Sequence, residues 1–252
     1  MEIDGKKVMV VGGASGMARA AAEQLRAKGA SVAILDLESS DGAEVAKSLG
    51  GTFHPVDVTD AAGTEAAIDA AVEALGGLHV SINTAGGGGA KRTLGKDGPH
   101  PLEEFTRVIE LNLIASFNVA RLSAAHMAKN DPEDDERGVI VMTASIAAFE
   151  GQIGQVSYSA AKAGIAGMTL TMARDLGSLG IRALSVAPSL FSTGITAGIP
   201  DEFADALTKD AAFPHRMGRP DEYGRLAVAI VENPMLNGSC IRLDAGQRFA
   251  PR

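Results

Sequence analysis

An alternation runs the whole length of this chain. Short apolar, β-branched runs are separated by longer Ala-rich stretches with helical spacing. The runs are Lys7 to Val11, Ser31 to Asp36, Thr52 to Val56, Leu78 to Asn83, Val139 to Thr143, Arg182 to Ala187 and Ser239 to Leu243. Most are apolar throughout, as expected of parallel strands covered on both faces. Helical patterns cover Gly16 to Ala27, Ala61 to Leu75, Leu102 to Ala128, Val156 to Leu179 and Asp221 to Val231. Together they specify an α/β fold with a seven-stranded, doubly wound parallel sheet. There is no linker or internal repeat, so residues 1–252 read as a single domain.

Composition narrows the function. The net charge of −8 supplies no basic footprint for nucleic acid or for an anionic membrane surface. A single cysteine, Cys240, precludes an internal disulfide and makes a reducing compartment the default. It lies in an apolar run, which suits a core residue better than a nucleophile. No apolar stretch reads as a membrane span, and Met1-Glu2-Ile3-Asp4 fits neither a signal peptide nor an Arg-rich transit peptide. The expectation is a soluble cytoplasmic protein with no nucleic-acid or membrane partner, and no metal site is assigned. Two irregular segments remain. Gly86 to Pro101 is Gly-rich and carries Lys91, Arg92 and Lys96, while Asn130 to Gly138 carries five carboxylates and reads as a solvated loop without a role.

After the first strand, Gly12-Gly13-Ala14-Ser15-Gly16-Met17-Ala18 opens a helix. Glycines at 12 and 16 allow a tight turn and close approach of backbone to a pyrophosphate at the helix N-terminus. In a chain with 30 glycines the spacing says little, but its place between strand and helix says more. Asp36 ends the second strand, where a carboxylate can accept bonds from ribose hydroxyls and repel a 2′-phosphate. Neither Ser15 nor Leu37 offers a compensating cation, so NAD is expected over NADP. Asp57-Val58 at the end of the third strand could meet the adenine. Thr84-Ala85-Gly86, after the fourth, would let backbone pass close to the adjacent ribose.

The chemistry centres on one of only two tyrosines. Tyr158 has Lys162 one helical turn later and Ser145 thirteen residues earlier. A phenol with a pKa near ~10 is a poor base at neutral pH, and a neighbouring ammonium favours its ionised form. A Tyr-x-x-x-Lys pair alone is usually a half-buried aromatic beside a surface lysine. The serine, and the agreement of the rest of the chain, change that balance.

These motifs resemble the short-chain dehydrogenase/reductase family, whose Rossmann-like single domain this pattern matches. The resemblance implies that Tyr158 is the acid/base, and that Lys162 lowers its pKa and holds the nicotinamide ribose. Ser145 would bind the reacting oxygen, Asn112 would complete a proton relay through water, and Phe191 and Thr193 would meet the carboxamide. It also implies a homotetramer built on helices 102–128 and 156–179. Four departures stand out: Val11 and Ala18 in the glycine turn, Thr84 for a second asparagine, and Ser189 after Pro188. None removes a reacting group.

A narrower resemblance, to type II 3-hydroxyacyl-CoA dehydrogenases, rests on the run Thr143 to Gln155, on Met172-Ala173-Arg174-Asp175-Leu176 and on Glu232 to Gly238. It implies a 3-hydroxyacyl-CoA or hydroxysteroid substrate with Gln155 close to it, and insertions at 86–101 and 130–138. An apolar segment over 190–217, with Ile195, Ile199, Phe203 and Leu207, reads as a lid suited to an acyl chain or steroid. Two other readings stay open. One is a dehydrogenase for a cyclic or aromatic alcohol. The other is a dinucleotide-binding sensor without turnover, against which the intact Ser145, Tyr158 and Lys162 count.

Overall fold

The computed structural model describes residues 1–193 and 207–250. Its central sheet joins seven parallel strands: β1 (Lys7–Val11), β2 (Ser31–Asp36), β3 (Thr52–Pro55), β4 (Val80–Asn83), β7 (Gly138–Thr143), β8 (Ile181–Pro188) and β9 (Cys240–Leu243). A small antiparallel hairpin, β5 (Leu94–Gly95) with β6 (Gly98–Pro99), lies within the Gly-rich loop. The order β3-β2-β1-β4-β7-β8-β9 reverses direction between β1 and β4. That switch point opens a crevice at the strands' carboxyl ends, where ligands of such sheets bind.

Alternate residues of each strand feed two cores, one per face. Val8 and Val10 of β1 pack with α1 (Gly16–Ala27) and α7 (Pro220–Glu232). Met9 and Val11 pack with α3 (Ala61–Leu75), α5 (Ala115–Met127) and α6 (Val156–Gly177). Each fully buried Val, Leu or Ile contributes about 1.5–3 kcal/mol, so both faces are needed to hold the sheet. Helix bounds follow local chemistry. In α3, Asp60 accepts the Ala62 N–H at 3.1 Å at one end, and Gly76 adopts φ 70° at the other.

Three features differ from the sequence reading. A short helix, α2 (Gly42–Ser48), lies between β2 and β3, too brief to show a period. The Leu102–Met127 helix is long and apolar enough to cross a bilayer by length and composition, correcting the view that no stretch reaches a span. Here it is a core helix, with 56% of its most apolar window buried. It is also interrupted: α4 (Leu102–Ile109) passes into a π-helical turn, Glu110–Ile114, before α5. The acidic loop is not merely solvated, because Glu136 accepts from Arg182 Nε at 2.7 Å and Glu133 pairs with Lys6 at 2.6 Å. Arg182 and Glu136 are both nearly buried, so this pair anchors the loop to β8.

Candidate active site

A cavity of about 540 Å³ follows the switch point. Gly12, Ser15, Gly16, Met17 and Asp36 line one part of it, and Asp57, Val58, Thr84, Ala85, Gly86 and Thr193 another. Of the expected cofactor residues, only Tyr158, Lys162 and Phe191 lie outside this lining.

The local chain explains the shape. Gly12 has φ 79°, and a Cβ there would stand 2.9 Å from Thr84 Oγ1 and 3.0 Å from the Ala85 nitrogen. Glycine thus lets the β1–α1 turn press against the end of β4. Ser15 caps α1 in extended geometry, yet its side chain makes no capping bond and the first turn holds no acid. Those first N–H groups suit an anion. Asp36 steadies the turn, since Oδ2 accepts the Ala14 N–H at 2.9 Å and Oδ1 the Leu37 N–H at 2.8 Å. Asp57 accepts from the Thr59 amide and hydroxyl at 2.9 and 2.7 Å, which lowers its pKa.

Beside this cavity Ser145, Tyr158 and Lys162 converge. Ser145, just past β7, caps a single 3₁₀ turn (Ile146–Ala148), and its Oγ accepts the Ala147 N–H at 3.1 Å. The Ser145 hydroxyl neighbours the Tyr158 phenol and favours its ionised form. Lys162 is buried, donates to the Thr143 carbonyl at 2.8 Å and lies 5.5 Å from the Tyr158 ring centroid. Burial brings its pKa down to about 8. Burial raises the Tyr158 phenol above its ordinary value, and the neighbouring Ser145 hydroxyl pulls the other way.

Asn112 lies in the π turn and is fully buried. Its Oδ1 accepts the Gly87 N–H at 3.1 Å, and its Nδ2 donates to Gly87 O at 2.6 Å and Val108 O at 2.8 Å. A Cβ on Gly86 would stand 2.5 Å from Asn112 Oδ1 and 3.4 Å from Lys162 Nζ, so the two side chains meet at that glycine. The asparagine amide is thus engaged in holding the loop after β4.

Other expected residues sit less directly. Gln155 precedes α6 and turns its Oε1 back to the Gln152 N–H at 3.1 Å, closing a turn outside the cavity lining. Phe191 is 5% exposed, with its ring against Gly218, so only its backbone can face a ligand. Thr193 does line the cavity, against Gly16. Ile195, Ile199 and Phe203 of the expected lid lie outside the described residues. Lys91 is already paired with Glu104 at 2.6 Å, which lowers that carboxyl's pKa, whereas Arg92 and Lys96 make no such pair among the described residues.

Arg107 and Leu111 were not evident from the sequence. Arg107 near the end of α4 and Leu111 in the π turn that follows, four residues apart, both line the cavity. An exposed arginine on an amphipathic helix carries no signal of its own, and only its spacing from Leu111 could have pointed to it.

A model of the short chain dehydrogenase family matches residues 6–203. The chain is 50% identical over 248 residues to a 3-hydroxyacyl-CoA dehydrogenase type-2 of Drosophila melanogaster, covering 96% of this chain and 97% of that one. It is 46% identical over 254 residues to the Homo sapiens protein of the same name, covering 99% and 97%. The crystal structure of 3-hydroxyacyl-CoA dehydrogenase type-2 from Mycobacterium avium superposes with a TM-score of 0.94 at 41% identity, each chain fully covered. Family membership implies a nicotinamide dinucleotide, which the glycine turn, the uncapped helix start and Asp36 fit. By sequence and fold, the chain belongs to the short-chain dehydrogenase family and is an oxidoreductase that interconverts a secondary alcohol and a ketone.

Proposed function

We propose that the protein is an NAD-dependent dehydrogenase whose substrate is a 3-hydroxyacyl-CoA or a similarly bulky apolar secondary alcohol. The observation that carries this is the convergence of Ser145, Tyr158 and the buried Lys162, whose ammonium lies 5.5 Å from the Tyr158 ring centroid and close to Gly86 of the dinucleotide cavity. When bound, the nicotinamide supplies the redox chemistry and, in its oxidised form, a positive charge that favours tyrosinate. Ser145 holds the alcohol oxygen, and Tyr158 takes its proton during oxidation and returns it during reduction. Lys162 holds the ribose and keeps a cation below the phenol. Asn112, its amide engaged with Gly87, keeps the loop after β4 in place around the ribose.

Asp36 in the cavity wall supports NAD over NADP, because a 2′-phosphate there would face a carboxylate. The acyl-CoA substrate is supported by what the similar proteins are named for and by Arg92 and Lys96, exposed on the loop after β4. Mixing the protein with NAD and a panel of 3-hydroxyacyl-CoAs, hydroxysteroids and cyclic alcohols, and following the reduced cofactor, tests the reading. Fast turnover of acyl-CoAs supports it; turnover of cyclic alcohols alone replaces the substrate assignment.

A homotetramer, working in the cell interior, completes the proposal. Ile114 and Phe117 stand about half exposed on one helix and Leu170 on α6, where Ala160, Ala163 and Gly167 leave the surface low. Gly164 is not part of that face, since it admits Leu113 of the same chain. Light scattering showing a monomer at micromolar concentration would remove the tetramer.

A further inference from the structure

Ser145 sits where the chain leaves the sheet, and its direction depends on one short turn. The near end of that turn is held by β8, through the Ala144 N–H to Val186 O at 2.8 Å. The far end is held from β9, two strands away from β7. Arg242, opposite Ala187 in the register, donates Nη1 and Nη2 to the two oxygens of Glu150 at 2.9 and 2.8 Å. Its guanidinium lies 5.2 Å from the Phe149 ring centroid. Asp244, nearly buried, accepts Arg242 Nε at 2.6 Å and fixes the guanidinium plane. One side chain therefore grips both residues that follow the Ser145 turn. A bidentate guanidinium–carboxylate pair defines orientation as well as distance, which a lysine could not do. Ile146 and Ala147 of the turn are buried, but Phe149 is 51% exposed, so core packing holds the turn's far end less firmly. Gln247 extends it, accepting from Arg242 Nη2 at 3.1 Å and donating to Leu207 O at 2.7 Å.

We propose that Arg242 is a positioning residue: by clamping Phe149 and Glu150 it sets the turn that aims the Ser145 hydroxyl at Tyr158. The inference rests on the role given to Ser145 in the proposed reaction.

The test uses Glu150→Gln, with Arg242→Lys as a second variant, each made in the parent and in Ser145→Ala. In the parent background kcat should fall by about tenfold or more, since small misplacements far from the chemistry can cost as much as ~10²-fold. NADH binding should stay within about twofold, and in the Ser145→Ala background the same substitutions should have almost no effect on kcat. An equal loss in both backgrounds means that the clamp supports the fold at large and overturns the proposal. A second readout does not need turnover. The chain has two tyrosines and no tryptophan, so with Tyr223→Phe as the common background phenolate absorbance reports Tyr158 alone. Glu150→Gln should move that titration to higher pH unless Ser145 is already absent. An unmoved titration overturns the clamp. A moved titration in a protein that oxidises none of the panel alcohols overturns the dehydrogenase reading alone.

Discussion

Lys162 donates its buried ammonium to the carbonyl oxygen of Thr143 at 2.8 Å, and the Thr143 hydroxyl is bonded in turn to Tyr223 at 2.9 Å. The cation is thereby tied to the end of β7 and, through the sheet, to α7 on the opposite face. One carbonyl does not replace a hydration shell, which is why burial lowers the lysine's pKa to about 8.

A stability test follows from that shift. The folded value lies below the unfolded one of 10.5, so between about 8 and 10.5 the unfolded chain binds more protons. Stability due to this group is therefore lowest at and below about pH 8 and is recovered as pH rises through that window. Denaturant unfolding of the parent and of Lys162→Met at pH 7.5 and 9.5 should show the parent gaining relative to the variant. A constant difference would mean that the ammonium is solvated.

Tyr158→Phe should abolish turnover while NADH binding largely survives. The hydroxyl is the group proposed to exchange the proton, whereas the ring rests against Gly88 and loses no packing. A rate within tenfold of the parent, only about 1.4 kcal/mol of barrier, would end its role as acid/base. Because the phenol is held above its ordinary value, alcohol oxidation by the parent should speed up as pH rises from neutrality.

For Asp36→Ala, NAD affinity should fall by about tenfold, or about 1.4 kcal/mol, and the preference over NADP should narrow. The Ala14 N–H would also lose its acceptor, and an unsatisfied buried donor costs about 1–3 kcal/mol of stability. Dissociation constants and unfolding midpoints separate the two effects. A parent that prefers NADP would refute the cofactor assignment.

In the loop after β4 the three cations should behave differently. Lys91→Ala should change the KM for an acyl-CoA little, because its ammonium is occupied by Glu104. Removing Arg92 and Lys96 together should raise that KM roughly two- to fivefold at low salt and less at high salt, as exposed charge contacts do. The KM of an uncharged hydroxysteroid should not move. If both substrates respond alike, the loop is structural.

Much of this was legible because the informative signals are local. The bounds of α1 and α3 coincide with the helical patterns, since Ser15, Asp60 and Gly76 mark their ends. The residues of the dinucleotide cavity come from strand ends that apolar runs locate to within a residue or two. What stayed hidden depends on side-chain direction or on distant partners. Position in a motif could not show that Gln155 turns back on Gln152, or that the Phe191 ring points into the core. Nor could it show Glu136 reaching Arg182, 46 residues on, or Glu150 reaching Arg242, 92 residues on. Apolar periodicity also tolerates one extra residue in a helix, so the π turn left no trace.

That turn has a consequence for how this chain can vary. A π turn holds one residue more than an α turn, so it offsets everything after it by about 100°. Upstream, Arg107 lines the dinucleotide cavity; downstream, Val119, Leu122 and Met127 bury themselves against the sheet. Removing one residue between 110 and 114 would restore a regular helix and force a choice between those two faces. Either the core side chains would swing toward solvent or Arg107 would leave the crevice wall. Substitutions along this helix can accumulate one at a time, but its residue count can change only if both ends are rebuilt together.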